Sequence, residues 1–149
     1  MKLRQFNLND YEEVVHMYYD FMIEVFGDKR KISPIYFYYK AVIDWINTSK
    51  HIIVVEKDNV LCGFSMCFID EANGLTQSIY NCETCYVKPK YRKTKAGFLL
   101  YNNGVNVAEE LRLNILANGR VENGVDKMIE KHFNLESMFI NFEGVYNEE

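Results

Sequence analysis

The chain predicts a mixed α+β fold built on one central sheet. Three observations carry this. Apolar residues recur with period two in some segments and at helical spacing in others, in the order β-α-α-β-β-β-α-β-α-β. A stretch over residues 78–113 runs from a strand through a short basic loop into a helix. The chain has 149 residues, 48% of them hydrophobic and 15% aromatic, with two prolines, which suits one globular domain with a real core rather than a disordered chain.

Each element has a local reason. Lys2-Leu3-Arg4-Gln5-Phe6 alternates polar and apolar and predicts a strand over residues 1–6. Asn9 or Asp10 can cap the following helix, with Glu12 and Glu13 at its positive end. Val14, Val15, Tyr18, Phe21, Met22 and Val25 are spaced for a helix to Phe26, and Gly27 ends it. Pro34 is tolerated in the first turn of a second helix that runs to about Thr48. Its opening, Ile35-Tyr36-Phe37-Tyr38-Tyr39, is aromatic all round, more than one core face can absorb. Residues 51–56 and 60–69 predict strands joined by a turn at Lys57-Asp58-Asn59. Asn73-Gly74 is a hairpin signal.

The stretch over 78–113 organises the rest. Ile79–Val87 is rich in Tyr, Thr, Val and Cys and predicts a strand. Pro89 has no N–H for a ladder and stops it. Lys90, Lys93, Lys95 and Arg92 make the loop basic. Ala96, Leu99, Leu100, Gly104, Val107, Ala108 and Leu111 then form a helical stripe. The first amides of a helix lack intrahelical acceptors and carry partial positive charge, so this junction can hold a phosphate. Beyond it, residues 115–117 predict a brief strand, 118–120 a turn, 125–133 a short amphipathic helix and 137–142 a last strand.

Several function classes are disfavoured. A net charge of −4 argues against general nucleic-acid affinity. No apolar run approaches a membrane span and the first residues do not lead into a signal-peptide core, so a cytoplasmic protein is expected. The cysteines Cys62, Cys67, Cys82 and Cys85 include one Cys-x-x-Cys spacing. All lie in strand-like segments, where alternation is expected to send each pair to opposite faces, so buried free thiols are expected and no metal. His16, His51 and His132 are expected to be surface or satisfied core histidines. The Tyr, Asn, Lys and Ile content suits an AT-rich genome, such as that of a phage or a low-GC bacterium.

The junction resembles the signature of the GNAT superfamily of acyl-CoA N-acyltransferases: a strand, V-x-P, two residues, then [R/Q]-x-x-G-x-[G/A] opening a helix. Val87, Pro89, Arg92 and Gly97 fall in register, and Lys95 stands where the first glycine normally is. A lysine can serve there if its φ is negative. Val60-Leu61-Cys62-Gly63-Phe64 is similar to the run of the third strand in that family, and Arg4 and Asp10 fit its opening pattern. The resemblance spans nearly the whole chain, 1–149. It implies an α/β/α sandwich with a mixed, mostly antiparallel sheet and helices on both faces.

It also implies acetyl-CoA as co-substrate and an amine-bearing acceptor, small molecule or protein. The backbone near Cys85 and Val87 would take the pantetheine arm, and Arg92, Lys93, Lys95, Ala96, Gly97 and Phe98 would form the pyrophosphate site. Lys90 could reach a 3′-phosphate. Glu83 aligns with a common glutamate that takes the amine proton; a solvent-facing strand glutamate is the alternative. The family pattern N-x-x-A-x-x-x-Y places Asn123 on the pantetheine arm and Glu130 where a tyrosine normally protonates the leaving thiolate. Glu130, Tyr86, Tyr101 or a water could serve instead. The aromatic run at 35–39 would be half core and half acceptor-pocket wall; core packing or a homodimer face is the alternative. A catalytically degenerate binding protein on the same scaffold is the competing functional expectation.

Overall fold

A computed structural model describes residues 1–71 and 77–117. The strands are β1 (Lys2–Gln5), β2 (His51–Lys57), β3 (Val60–Asp70), β4 (Ile79–Val87) and β5 (Asn114–Ala117), and the helices are α1 (Tyr11–Phe26), α2 (Ile35–Asn47) and α3 (Ala96–Leu111). The strands form one sheet in the order β1-β2-β3-β4-β5. The first four are antiparallel and β5 joins β4 in parallel. This is the expected sandwich, with α1 and α2 on one face and α3 on the other. The Asn73-Gly74 hairpin, the turn at 118–120, the helix at 125–133 and the strand at 137–142 lie outside the described residues.

Local chemistry accounts for the element ends. Gly27 closes α1 in the left-handed region, φ 74°, where glycine meets no Cβ penalty. Asp58 and Asn59 both have positive φ, the turn geometry that matches the twist of the flanking strands. Asn59 and Asp58 are among the residues that tolerate it best. The start of α1 departs from expectation. The Asp10 carboxylate does not cap the helix; it accepts from Arg4 Nη1 and Nη2, at 2.7 and 2.8 Å, and from the Asn7 backbone N–H. Asn7 instead caps the preceding single turn, accepting from Asn9 N–H. The guanidinium holds the Asp10 carboxyl below its ordinary range.

The larger core lies between the sheet and α1/α2. Val14, Val15 and Met17 of α1 and Tyr38, Val42 and Trp45 of α2 close on Val54, Phe64, Met66 and Tyr86. Aromatic edges meet there: Tyr18 lies 5.0 Å from Tyr38 and 4.6 Å from Trp45, ring centre to ring centre. The aromatic run at 35–39 therefore divides. Tyr38 is fully buried, while Tyr36 and Phe37 remain 64% and 47% exposed.

Two bulges change the pleat. Val55 pairs with Gly63 and Glu56 with Leu61, so Cys62 is an extra residue on β3. Met66 pairs with Thr84 and Cys67 with Cys82, so Glu83 is an extra residue on β4. Alternation is broken at both points. The expectation that each cysteine pair splits across the sheet is thereby overturned: Cys62, Cys67, Cys82 and Cys85 all pack on the α3 side. All four are free; three are buried and Cys85 is half-buried. Among the described residues no group of three or more His, Cys, Asp or Glu could hold a metal ion, and no helix is long and apolar enough to cross a membrane.

Candidate active site

The candidate site forms where β4 leaves the sheet and α3 begins. The parallel pairing of β4 with β5 runs from Ile79↔Asn114 to Cys82↔Ala117. The bulged Glu83 comes next, and its side chain is exposed. It lies on the α1 side, close enough to the Tyr18 phenol to help raise it to about 12, mainly through burial. Thr84 and Tyr86 are buried, and Cys85 and Val87 half-buried on the α3 side.

Gly63 fixes the spacing of β3 and β4 here. A Cβ on it would lie 2.4 Å from the Tyr86 carbonyl oxygen, so any larger residue would force the strands apart.

The loop is held by its own polar contacts. Pro89–Tyr91 forms a single 3₁₀ turn. Thr94 Oγ1 donates to the Tyr91 carbonyl at 2.6 Å and accepts from Ala96 N–H at 3.2 Å. Arg92 Nε donates to the Val87 carbonyl at 2.8 Å, and its Nη2 donates to Glu24 of α1 at 2.6 Å. The same guanidinium lies 5.5 Å from the Tyr86 ring centre. The Tyr86 phenol is pushed up to about 12 by burial, then by Glu24 and Asp20, with Arg92 opposing. Lys88 pairs with Glu13, a second tie between loop and α1. Arg92 thus lies where the motif puts it, and its side chain is engaged in holding the turn.

Lys95, at the N-cap of α3, has φ −79°. A side chain is accommodated there without strain, and φ is negative, as a lysine at the usual glycine position requires. Lys93 and Lys95 are exposed, and the Lys90 ammonium sits 5.4 Å from the Tyr91 ring centre. Ala96 is fully buried. Gly97 differs: a Cβ there would meet only Val87 Cγ2, at 3.9 Å. Among the described residues nothing else lies within 4 Å of that position. Leu99 N–H returns to the Lys95 carbonyl at 2.9 Å, and Gly97 and Phe98 occupy the first turn before it. Asn123 and Glu130 lie outside the described residues.

Of the alternative proton donors, Tyr86 is buried on the α1/α2 side. Tyr101 is buried on the α3 side, hydrogen-bonded to Cys85 and raised by burial. The Cys85 thiol is likewise pushed up to about 12 by burial, so it is a poor nucleophile. Sequence reasoning missed Glu24, Glu13 and Tyr18, because long-range neighbours leave no local signal.

The model of the acetyltransferase (GNAT) family matches residues 11–130. The chain belongs to the GNAT acetyltransferase family. Solved GNAT-fold structures agree over almost the full length. A possible acetyltransferase from Clostridium difficile 630 superposes with a TM-score of 0.74 at 14% identity, covering 95% of this chain and 93% of that one. A predicted acetyltransferase from Clostridium acetobutylicum, solved with acetyl-CoA, gives 0.69 at 13% identity over 99% of both chains. AAC(6′)-Iy in complex with the bisubstrate analogue CoA-S-monomethyl-acetylneamine gives 0.68 at 14% identity over 93% and 92%. At these identities the likeness is one of fold. No curated protein sequence matches the chain.

Proposed function

We propose that this GNAT-family chain is a single acyltransferase domain, 1–149, that moves an acetyl group from acetyl-CoA to a primary amine by direct attack in a ternary complex. The observation that carries the reading is that, among the described residues, a Cβ on Gly97 at this strand–helix junction would meet only Val87 Cγ2, at 3.9 Å. A nucleotide pyrophosphate would lie there. Helix-start amides would bind it, with Lys93 and Lys95 adding charge and Ala96, Gly97 and Phe98 supplying the first turn. Arg92 acts by positioning the turn through Val87 and Glu24. The thiol arm would lie along the backbone at Cys85 and Val87, with Asn123 as a further contact.

Acyl transfer needs a neutral amine beside a held thioester. Glu83, exposed on the bulge, takes the ammonium proton directly or through a water. The nitrogen attacks the thioester carbonyl, the C–S bond breaks, the amide nitrogen gives up its second proton to solvent, and the leaving thiolate takes a proton from Glu130 or a water. The net charge of −4 and the exposed carboxylate of Glu83 favour a cationic acceptor. We place the protein in the cytoplasm.

The test is isothermal titration with acetyl-CoA, followed by thiol release with a panel of amines. Binding with amine-dependent release is expected; no binding at millimolar ligand refutes the proposal. One observation favours a second reading, a binding protein that has lost turnover: Glu130 stands at the usual tyrosine position. CoA binding without thiol release for any amine would select it.

A further inference from the structure

We propose that Cys67 and Cys82 form an oxidisable dithiol that closes to an intramolecular cross-strand disulfide on reaction with peroxide. The two residues are direct partners across the antiparallel β3–β4 ladder. Such partners have Cα atoms about 4.5 or 5.5 Å apart, inside the range of about 4.4–6.8 Å that a disulfide spans. Both side chains sit on the α3 face, and they are hydrogen-bonded to each other. Gly104 of α3 makes the room: a Cβ there would lie 2.8 Å from Cys82 Sγ.

The surroundings distinguish the two sulfurs. Cys82, Ser65 and Tyr80 side chains all hydrogen-bond to Cys67. These donors, Cys82 first, lower the Cys67 thiol below its usual range. Cys82, as donor to Cys67 and buried, is pushed up. The Tyr80 hydroxyl also lies 2.7 Å from His51 Nδ1. Tyr80 and His51 line a cavity of about 530 Å³, whose wall includes Asn103 and Val107 of α3. The Tyr80 phenol, hydrogen-bonded to Cys67, therefore joins the wall of that cavity to the thiol.

The chemistry balances with hydrogen peroxide as oxidant. The Cys67 thiolate attacks one peroxide oxygen, the O–O bond breaks, and hydroxide leaves with a sulfenic acid formed on Cys67. Cys82 sulfur then attacks Cys67 sulfur, the S–O bond breaks, and the hydroxyl departs as water with the Cys82 proton. Two thiols are oxidised, one peroxide is reduced, and two waters form. Nothing in this depends on acyl transfer.

The experiment treats the full chain with a modest excess of hydrogen peroxide, blocks remaining thiols under denaturing conditions, and maps the peptides. Free thiols are expected to fall from four to two, with a Cys67–Cys82 linked peptide that dithiothreitol releases. Cys62→Ser and Cys85→Ser are expected to keep the link, and Cys67→Ser and Cys82→Ser to abolish it. Retention of all four thiols in wild type, a link that includes Cys62 or Cys85, or over-oxidation of Cys67 without any link would overturn the proposal.

Discussion

Gly97→Ala separates fold from ligand at a single methyl group. The added Cβ would meet only Val87 Cγ2, at 3.9 Å, an ordinary van der Waals contact. Removing a glycine from a helical position stabilises by about 0.5–1 kcal/mol in a helix interior and less in a first turn, so the folded state is expected to gain a few tenths or stay unchanged. The motif of this junction takes glycine or alanine at this position, so a pyrophosphate drawn close to this backbone should feel the single methyl only mildly, at about 1 kcal/mol, which is roughly fivefold in Kd. Urea unfolding and acetyl-CoA titration on the same preparation read both quantities. The expected result is an unchanged or slightly higher midpoint with weaker binding. Equal affinity in the variant and the wild type would refute the placement of the pyrophosphate. A large loss of stability would refute the open geometry itself.

Three further outcomes are expected. Gly63→Ala sets a Cβ 2.4 Å from the Tyr86 carbonyl, a clash with backbone that cannot swing aside, and should destabilise by about 1–3 kcal/mol or more in denaturant titration. Asp10→Asn removes one of the two carboxylate partners of Arg4, leaving Glu56 at 3.0 Å, and with that guanidinium one-quarter exposed the cost should be about 1–3 kcal/mol. Because the folded-state pKa of Asp10 is depressed, its stabilisation is present above the ordinary carboxylate value near 4 and is lost as pH falls below it, so unfolding followed from pH 6 downward should be less steep in this variant than in wild type. Glu83→Gln, at an exposed side chain, should leave the unfolding midpoint within about 0.5 kcal/mol and lower kcat/KM for an amine acceptor roughly a hundredfold or more.

Much of this architecture was legible one element at a time. Pro89 and the Ala96-to-Leu111 stripe delimited β4 and α3, because a missing N–H and a helical period act locally. The same is true of Gly27 and the Asp58-Asn59 turn. The bulges were not legible, since a period-two reading cannot see one inserted residue until a partner strand supplies the register. The Cys82-x-x-Cys85 spacing held a hint, as two core-like residues three apart on a strand require a bulge to share a face. Asp10 was misassigned for a related reason: a short carboxylate near a helix start reads as a cap, and only the folded sheet brings Arg4 to compete for it. In the site, the turn proposed to hold phosphate was visible as a motif. The carboxylates of α1 that surround it were not, because Glu24 and Arg92 lie 68 positions apart.

That separation has a practical side. Arg92 to Glu24 and Lys88 to Glu13 clip the loop to a helix far away in sequence, so the two segments form one mechanical unit despite their distance. Anyone building hybrids by importing a first helix from a relative would have to bring both acids with it, or accept a turn no longer anchored from that side.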